Sequence, residues 1–251
     1  MAVKDHPVQL VDGSDCRVRA SYPIEDHTER FVAPHSMTFS ADGSFLYCGF
    51  ANAIEVFEIN QPGAAGQRIH TSPSRASRQG QKGIISSLAF RPDGSGLLAA
   101  GSLSGTVGLY DTTQADELIK LIKVRNGKGV TKVHFHPRSH LLFVASRQSS
   151  SISVIDLRNF LKPVLHLQRK ARANQKFEFD IDTSGTWLLA GDQNGKLNWF
   201  GAEYDETNST PLQQFPLSTD SGSDDSEEDA SIKETPAWSL QLWDFPSRDV
   251  S

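Results

Sequence analysis

One phrase recurs through this chain. Its clearest copy occupies residues 83–111, GIISSLAFRPDG followed by LLAAGSLSGTVGLYD, read after the two residues that separate them. Apolar residues alternate up to a Pro-Asp-Gly turn. A second apolar run, a Gly-bounded turn and a third run ending in Tyr110-Asp111 follow. Period-two patterning interrupted by turn residues is the pattern of short antiparallel strands. The same phrase returns over residues 33–59, 129–157 and 174–202. The turn residue closing each first strand falls at positions 43, 94, 139 and 185, so the copies are spaced 51, 45 and 46 residues apart.

A period of about 40–50 residues with four short strands per unit is the signature of a β-propeller of WD repeats, whose blades bury their faces against one another. The expected fold is therefore all-β. It has four complete blades plus partial first and last blades, an incomplete seven-bladed ring. HPVQLVDG (residues 6–13) reads as the third strand of a blade whose first two are absent, and RVRASYPI (17–24) as its fourth. Outer fourth strands are expected at 67–71, 118–124, 164–168 and 212–217. The alternation of LIKLIKV (118–124) is imperfect. A stretch rich in Gly, Ser, Pro and Arg (61–82) accounts for the longer first spacing. Blades are expected over 1–217 and a disordered acidic insert over 218–236. A terminal blade strand and tail at 237–251 carries the Trp243-Asp244 pair in SLQLWDF.

Only two cysteines are present, Cys16 and Cys48, so no disulfide framework is expected. Cys48 lies within an apolar strand and reads as core. No segment approaches the roughly 18 apolar residues of a membrane span, and MAVKDHPVQL has no signal-peptide core. These features lead to the expectation of a soluble intracellular protein.

The net charge of −5 averages two opposite regions. Residues 118–176 hold thirteen Lys and Arg and one acid, Asp156, whereas residues 203–230 hold nine acids and no Lys or Arg. In a blade, loops entering the first strand and turns between the second and third share one face. That rule gathers Arg125, Lys128, Arg147, Arg172 and Lys176 on one side. Lys82 joins them, with Arg75 and Arg78 nearby, and Arg138, Arg158 and Lys162 fall on the other. A clustered positive face attracts phosphates with a strong salt dependence. It equally suits an acidic peptide or the chain's own acidic tail. Aromatic partners are few in these loops, His140 and the arginines aside, so phosphate and shape contacts are favoured over a stacking platform.

Further residues resemble one family. The segments PVQLVDG, CRVRASY, HSMTFSADGSFLYCGF, QKGIISSLAFRPDG, VHFHPRSH, DLR at 156–158 and NQKFEFDIDTSG, in that order, are similar to the telomerase Cajal body protein family. The resemblance covers about residues 5–202 and SLQLWDF. It implies a nuclear, non-enzymatic scaffold that binds small nuclear RNA, of the Cajal-body class or telomerase RNA, together with ribonucleoprotein proteins. No cofactor, membrane or small-molecule substrate is implied; a cytoplasmic pool is a further expectation. The family has additional blades before the region matching His6 and two strands between those matching Leu217 and Leu240. A shortened member with exposed strand edges is therefore expected. The alternative is a general protein-interaction module that docks acidic peptides without RNA.

Other motifs carry less. His134 and His136 sit two apart on a strand and could approach one ion, but no Cys or carboxylate pair accompanies them. His35-Ser36 reads as part of a hydrogen-bonded blade corner. Gly101, Gly105 and Gly108 lack both the order of a dinucleotide loop and a Gly-Lys-Ser/Thr ending, so they read as a strand turn. No nucleophile elbow supports a Ser/His/Asp triad, and no enzyme activity is expected. Ser226, followed by Glu-Glu-Asp, resembles an acid-directed phosphorylation site within an otherwise solubilising run.

Overall fold

A computed structural model describes residues 1–3, 5–25, 30–74, 76–77, 79–114, 117–125, 128–160 and 163–202, and the backbone of a strand at 213–216. The expected acidic insert, the terminal strand at 239–245, Ser226, Arg75, Arg78 and Lys162 lie outside the described residues. Among the described residues the regular elements are all strands. The first blade holds β1 (Val8–Val11) and β2 (Val18–Tyr22). The second holds β3 (Ser36–Phe39), β4 (Phe45–Phe50), β5 (Ala53–Glu58) and β6 (Gln67–His70). The third holds β7 (Ile85–Phe90), β8 (Leu97–Ser102), β9 (Thr106–Asp111) and β10 (Glu117–Lys123). The fourth holds β11 (Val130–Phe135), β12 (Leu141–Ser146), β13 (Ser151–Asp156) and β14 (Leu165–Gln168). The fifth holds β15 (Phe179–Ile181), β16 (Trp187–Gly191), β17 (Lys196–Gly201) and β18 (Gln213–Pro216).

Each complete blade is an antiparallel meander in sequence order, and the first is a two-stranded ladder. Four full blades and a partial first one match the sequence reading. The imperfect alternation of β10 has a local cause: its pairing with β9 slips between Leu118 and Lys120, and Ile119 is left over as a bulge. The fourth copy closes its first turn with Ser139 where the others have Gly43, Gly94 and Gly185 at positive φ. The His136 ring organises that turn. Its Nδ1 accepts the amides of Arg138 (3.0 Å) and Ser139 (2.9 Å), which leaves Nε2–H to donate to Gly185 O of the fifth blade at 2.8 Å.

The core lies between blades. Val133 and Phe135 of the fourth blade pack with Ala99, Val107 and Leu109 of the third. Phe179 and Ile181 of the fifth pack with Leu141, Phe143, Ile152 and Val154 of the fourth. Leu88 meets Tyr47, Ile54 and Val56. Several polar groups sealed in these seams bond across them. Buried Gln81 donates to Ala100 O (2.7 Å) and accepts the Tyr110 hydroxyl (2.9 Å). Ser36 and Ser86 donate across seams, to Ile85 O at 2.9 Å and Val130 O at 2.5 Å. Ser36 thus ties two blades together, whereas the sequence placed it in a corner of its own blade.

Cys48 is fully buried, and desolvation, with the nearby Glu55 charge, pushes its thiol up to about 12. Cys16 is exposed. A thiol-reactive disulfide reagent at neutral pH is therefore expected to modify Cys16 alone until denaturant is added, since the thiolate is the nucleophile. Fast reaction of both thiols in the native protein would contradict this burial.

Candidate nucleic-acid interface

Successive turns of an antiparallel meander alternate between the two ends of a blade. One rim therefore collects the loops entering each first strand and the turns between second and third strands. Hydrogen bonds show this rim to be continuous. The Asn52 amide donates to Gly83 O (2.9 Å) and the Gly83 amide to Asn52 Oδ1 (2.8 Å), joining the second blade to the loop that starts the third. Ser102 and Ser104 donate to Lys82 O at 2.5 and 2.7 Å. Val124 N bonds Gly105 O (2.9 Å), Lys128 N bonds Arg147 O (2.9 Å) and Arg147 N bonds Gly129 O (2.7 Å). Farther along, Arg169 N bonds Ser150 O (2.8 Å) and Gln193 N bonds Lys170 O (2.7 Å), while Arg172 N donates to Gln193 Oε1 (2.9 Å).

Glycine permits this close contact between loops and turns. A Cβ on Gly129 would meet Leu103 O at 2.7 Å, and one on Gly105, whose φ is +80°, would meet Lys128 O at 2.8 Å. The entering loops are thus clamped between turns of neighbouring blades, which holds their cations in place.

Of the residues selected from sequence, Lys82, Arg125, Lys128, Arg147 and Arg172 all fall on this rim. Arg125, Lys128 and Arg172 are exposed; Lys82 and Arg147 are half-buried. Arg125, Lys128, Arg147 and Arg172 have no carboxylate within ion-pair distance among the described residues. The buried Nε of Arg147 has no hydrogen-bond partner among them either. Lys176 differs. It pairs with Glu178 at 2.9 Å, and Glu178 also reaches Lys132 on β11 at 3.3 Å. Burial opposes the charged form of Glu178, but these two lysines prevail and hold its carboxyl below the usual range. Lys176 therefore shares a single carboxylate with Lys132, which offsets part of its positive charge.

Two residues were not singled out from sequence. Exposed Lys170 stands on the rim with no ion-pair partner among the described residues. Together with Ser150, Arg172, Gln193 and Asn194 it lines a recess of about 410 Å³. The run Arg-Lys-Ala-Arg at 169–172 was its available signal. Its neighbour Arg169 is buried instead, donating to the carbonyls of Phe177 (3.3 Å), Glu178 (3.3 Å) and Gly191 (3.2 Å). Desolvation lowers its pKa to about 10 despite Glu178 and Asp192. Arginine is so rarely buried that composition could not separate it from Lys170.

The opposite rim has a different charge. Asp12, Asp42, Asp93, Asp111, Asp156 and Asp182 sit at its turns, where each accepts backbone amides or hydroxyls of the following residues. The Ser40 and Ser44 bonds hold Asp42 at about 2, and the Arg158 bonds do the same for Asp156. Arg138 and Arg158 belong to this rim, as expected, with Arg158 paired to Asp156 at 2.6 Å. His140 is here too, its Nδ1 2.9 Å from Arg91 Nη2, so it cannot serve as a stacking group beside the cationic loops. His134 bonds Phe135 O through Nδ1 (2.7 Å) and lies 3.4 Å from Asp180. His136 is spent on its turn. No group of three His, Cys, Asp or Glu side chains converges among the described residues.

Comparison with known proteins agrees with the blade architecture. The WD domain, G-beta repeat family model matches residues 73–111, the first three strands of the third blade and the loop before them. Telomerase Cajal body protein 1 of Mesocricetus auratus is 32% identical over 96% of this chain and 50% of its own length. The Homo sapiens protein of that name is 33% identical over 78% of the chain and 34% of its own length. A Schizosaccharomyces pombe protein named guanine nucleotide-binding protein negative regulator 1 is 26% identical over 96% of the chain and 68% of its own length. The chain spans half or less of the Cajal body relatives it matches. With its repeated four-stranded blades the chain is a WD-repeat protein, similar along most of its length to telomerase Cajal body protein 1.

Proposed function

We propose that the cationic rim holds the sugar-phosphate backbone of a small nuclear RNA, of the Cajal-body class or telomerase RNA. The protein then acts as a non-enzymatic scaffold in the nucleus for assembling or localising a ribonucleoprotein. One observation carries this reading: Arg125, Lys128, Arg147, Lys170 and Arg172 share one rim without carboxylate partners among the described residues, whereas Asp12, Asp42, Asp93, Asp111, Asp156 and Asp182 sit at the turns of the other and Asp192 is the turn carboxylate of this one. A polyanion that engages such a row gains charge-assisted hydrogen bonds and releases its counterions. The class of RNA is the one implied by the resemblance to the telomerase Cajal body protein family, whose name the mammalian relatives carry.

The test is a salt titration with a single-stranded RNA oligonucleotide. Five neutralised phosphates predict a slope of log K against log salt of about −3.5, from roughly −0.7 per contact on single strands. Binding insensitive to salt would remove the proposal. Retention of RNase-treated partners through acidic peptides, with no RNA binding, would replace it with the protein-docking reading.

A further inference from the structure

The loop that leaves the fourth blade presents two cations on one side. Burial alternates along it: Arg169 and Ala171 are buried, Lys170 and Arg172 exposed. The Arg169 amide bonds Ser150 O in the β12–β13 turn. The same bond recurs as Thr71 N to Asn52 O in the second blade and Val124 N to Gly105 O in the third. In that register Ser72 and Ser74 of the second blade stand where Lys170 and Arg172 do, and Gly105 of the third stands where Ser150 does. Of these three places, only the one in the fourth blade combines two cations with a turn side chain able to hydrogen-bond.

The groups around the two cations are neutral. Lys170, Arg172 and Ser150 line the recess of about 410 Å³ together with Gln193 and Asn194 of the β16–β17 turn. Gln193 N bonds Lys170 O at 2.7 Å, and its Oε1 accepts Arg172 N at 2.9 Å. The Gln193 amide is thereby held with its oxygen toward the loop. Its Nε2 hydrogens are unspent among the described residues, as are the Asn194 side-chain amide and the Ser150 hydroxyl. Asp192, the carboxylate of this turn, is buried and committed to the amides of Asn194 (2.8 Å) and Lys196 (2.9 Å). No aromatic side chain lines the recess, so a base finds nothing there to stack on. The recess suits the strand's own backbone, with cations for phosphates and neutral donors and acceptors for a hydroxyl between them.

On the reading that this rim binds RNA, we propose that the recess is where the protein tells RNA from DNA. Lys170 and Arg172 hold phosphates, which both polymers carry. Gln193 Nε2, the Asn194 amide and the Ser150 hydroxyl bond the ribose 2′-hydroxyl, which both donates and accepts and which DNA lacks. A row of cations alone cannot make that distinction, because it is attracted to phosphate charge.

The probes are a fluorescein-labelled oligouridylate of about 12 nucleotides and its deoxyuridine counterpart, which differ only in the 2′-hydroxyl. Each is titrated with the full chain and read by anisotropy at several salt concentrations. The ribo form is expected to bind about tenfold more tightly, the worth of one or two net hydrogen bonds, with the same salt slope for both. Ser150→Ala combined with Asn194→Ala should bring the two affinities to within about twofold and leave deoxy binding unchanged. Gln193→Ala should also narrow the ratio; it removes the acceptor of Arg172 N as well, so the Ser150/Asn194 variant, which keeps that bond, is the deciding one. Equal affinity of the unaltered protein for both probes, with the salt slope intact, would overturn the recess as a ribose reader and leave the rim as a phosphate surface. A ribo preference undiminished in the Ser150/Asn194 variant would overturn it too. Binding of neither probe would remove the RNA reading itself, and this inference with it.

Discussion

Charge reversal at Lys128 and Arg172 together is expected to weaken single-stranded RNA binding about 100-fold, with no change in melting temperature. The estimate takes about 1.5 kcal/mol for each charge-assisted hydrogen bond lost, and 1.4 kcal/mol per factor of ten. Replacing both residues by Ala should lower the salt slope by about 1.4, two contacts at roughly 0.7 each. The fold should tolerate either change. Both side chains are exposed, and what holds the loops is the backbone bonding of Lys128 N to Arg147 O and Arg172 N to Gln193 Oε1. Lys176→Glu supplies the contrast. Lys176 is already paired with Glu178, so reversal there should cost RNA binding much less than at Lys128. Filter binding at several salt concentrations, alongside thermal melts, reads all of these. Unchanged affinity in the Lys128/Arg172 double variant would refute the rim as the RNA surface.

The second large effect concerns stability. Phe143→Ala removes a ring that is 1% exposed from the seam where the fourth blade meets Phe179, Leu188 and Phe200 of the fifth. The lost transfer energy and the cavity left behind cost about 3–5 kcal/mol for a buried phenylalanine. In a domain of this size that lowers the melting temperature by roughly 10 °C. Neighbouring side chains cannot close the gap cheaply, because both walls are sheets held in register by their own ladders. Phe45→Ala on β4, an exposed position, should change stability by no more than about 0.5 kcal/mol. Denaturant unfolding of the two variants checks the pair. Equal losses would mean that the stability does not reside in the seams between blades.

The blades were legible because their signal is short-range. Alternation in residues such as Val133 and Phe135, and Pro or Gly at the turns, marks each strand wherever the chain goes next. Where the alternation was poor, as in LIKLIKV, a bulge at Ile119 absorbed the phase error. The rim assignment of Lys82, Arg125, Lys128, Arg147 and Arg172 followed from the same source, since meander turns must alternate between ends. Other features depend on a partner distant in sequence. The Ser36 hydroxyl reaches Ile85 O across 49 residues. His136 serves its own turn and Gly185 at once. Lys176 shares its partner Glu178 with Lys132, on the inner strand of the previous blade.

Periodicity and turn chemistry, both written in neighbouring residues, were enough to specify an all-β stack of four complete blades, a partial first one, and the end of each blade on which a loop emerges. Which cations remain available for a ligand was decided only by packing. Arg169 and Lys170 are adjacent in the chain, yet one is buried against three carbonyls and the other stands in solvent. The physical reason is that a charge is worth what its surroundings leave of it. Desolvation and nearby carboxylates act through space, and the spatial neighbours of these residues come from other blades.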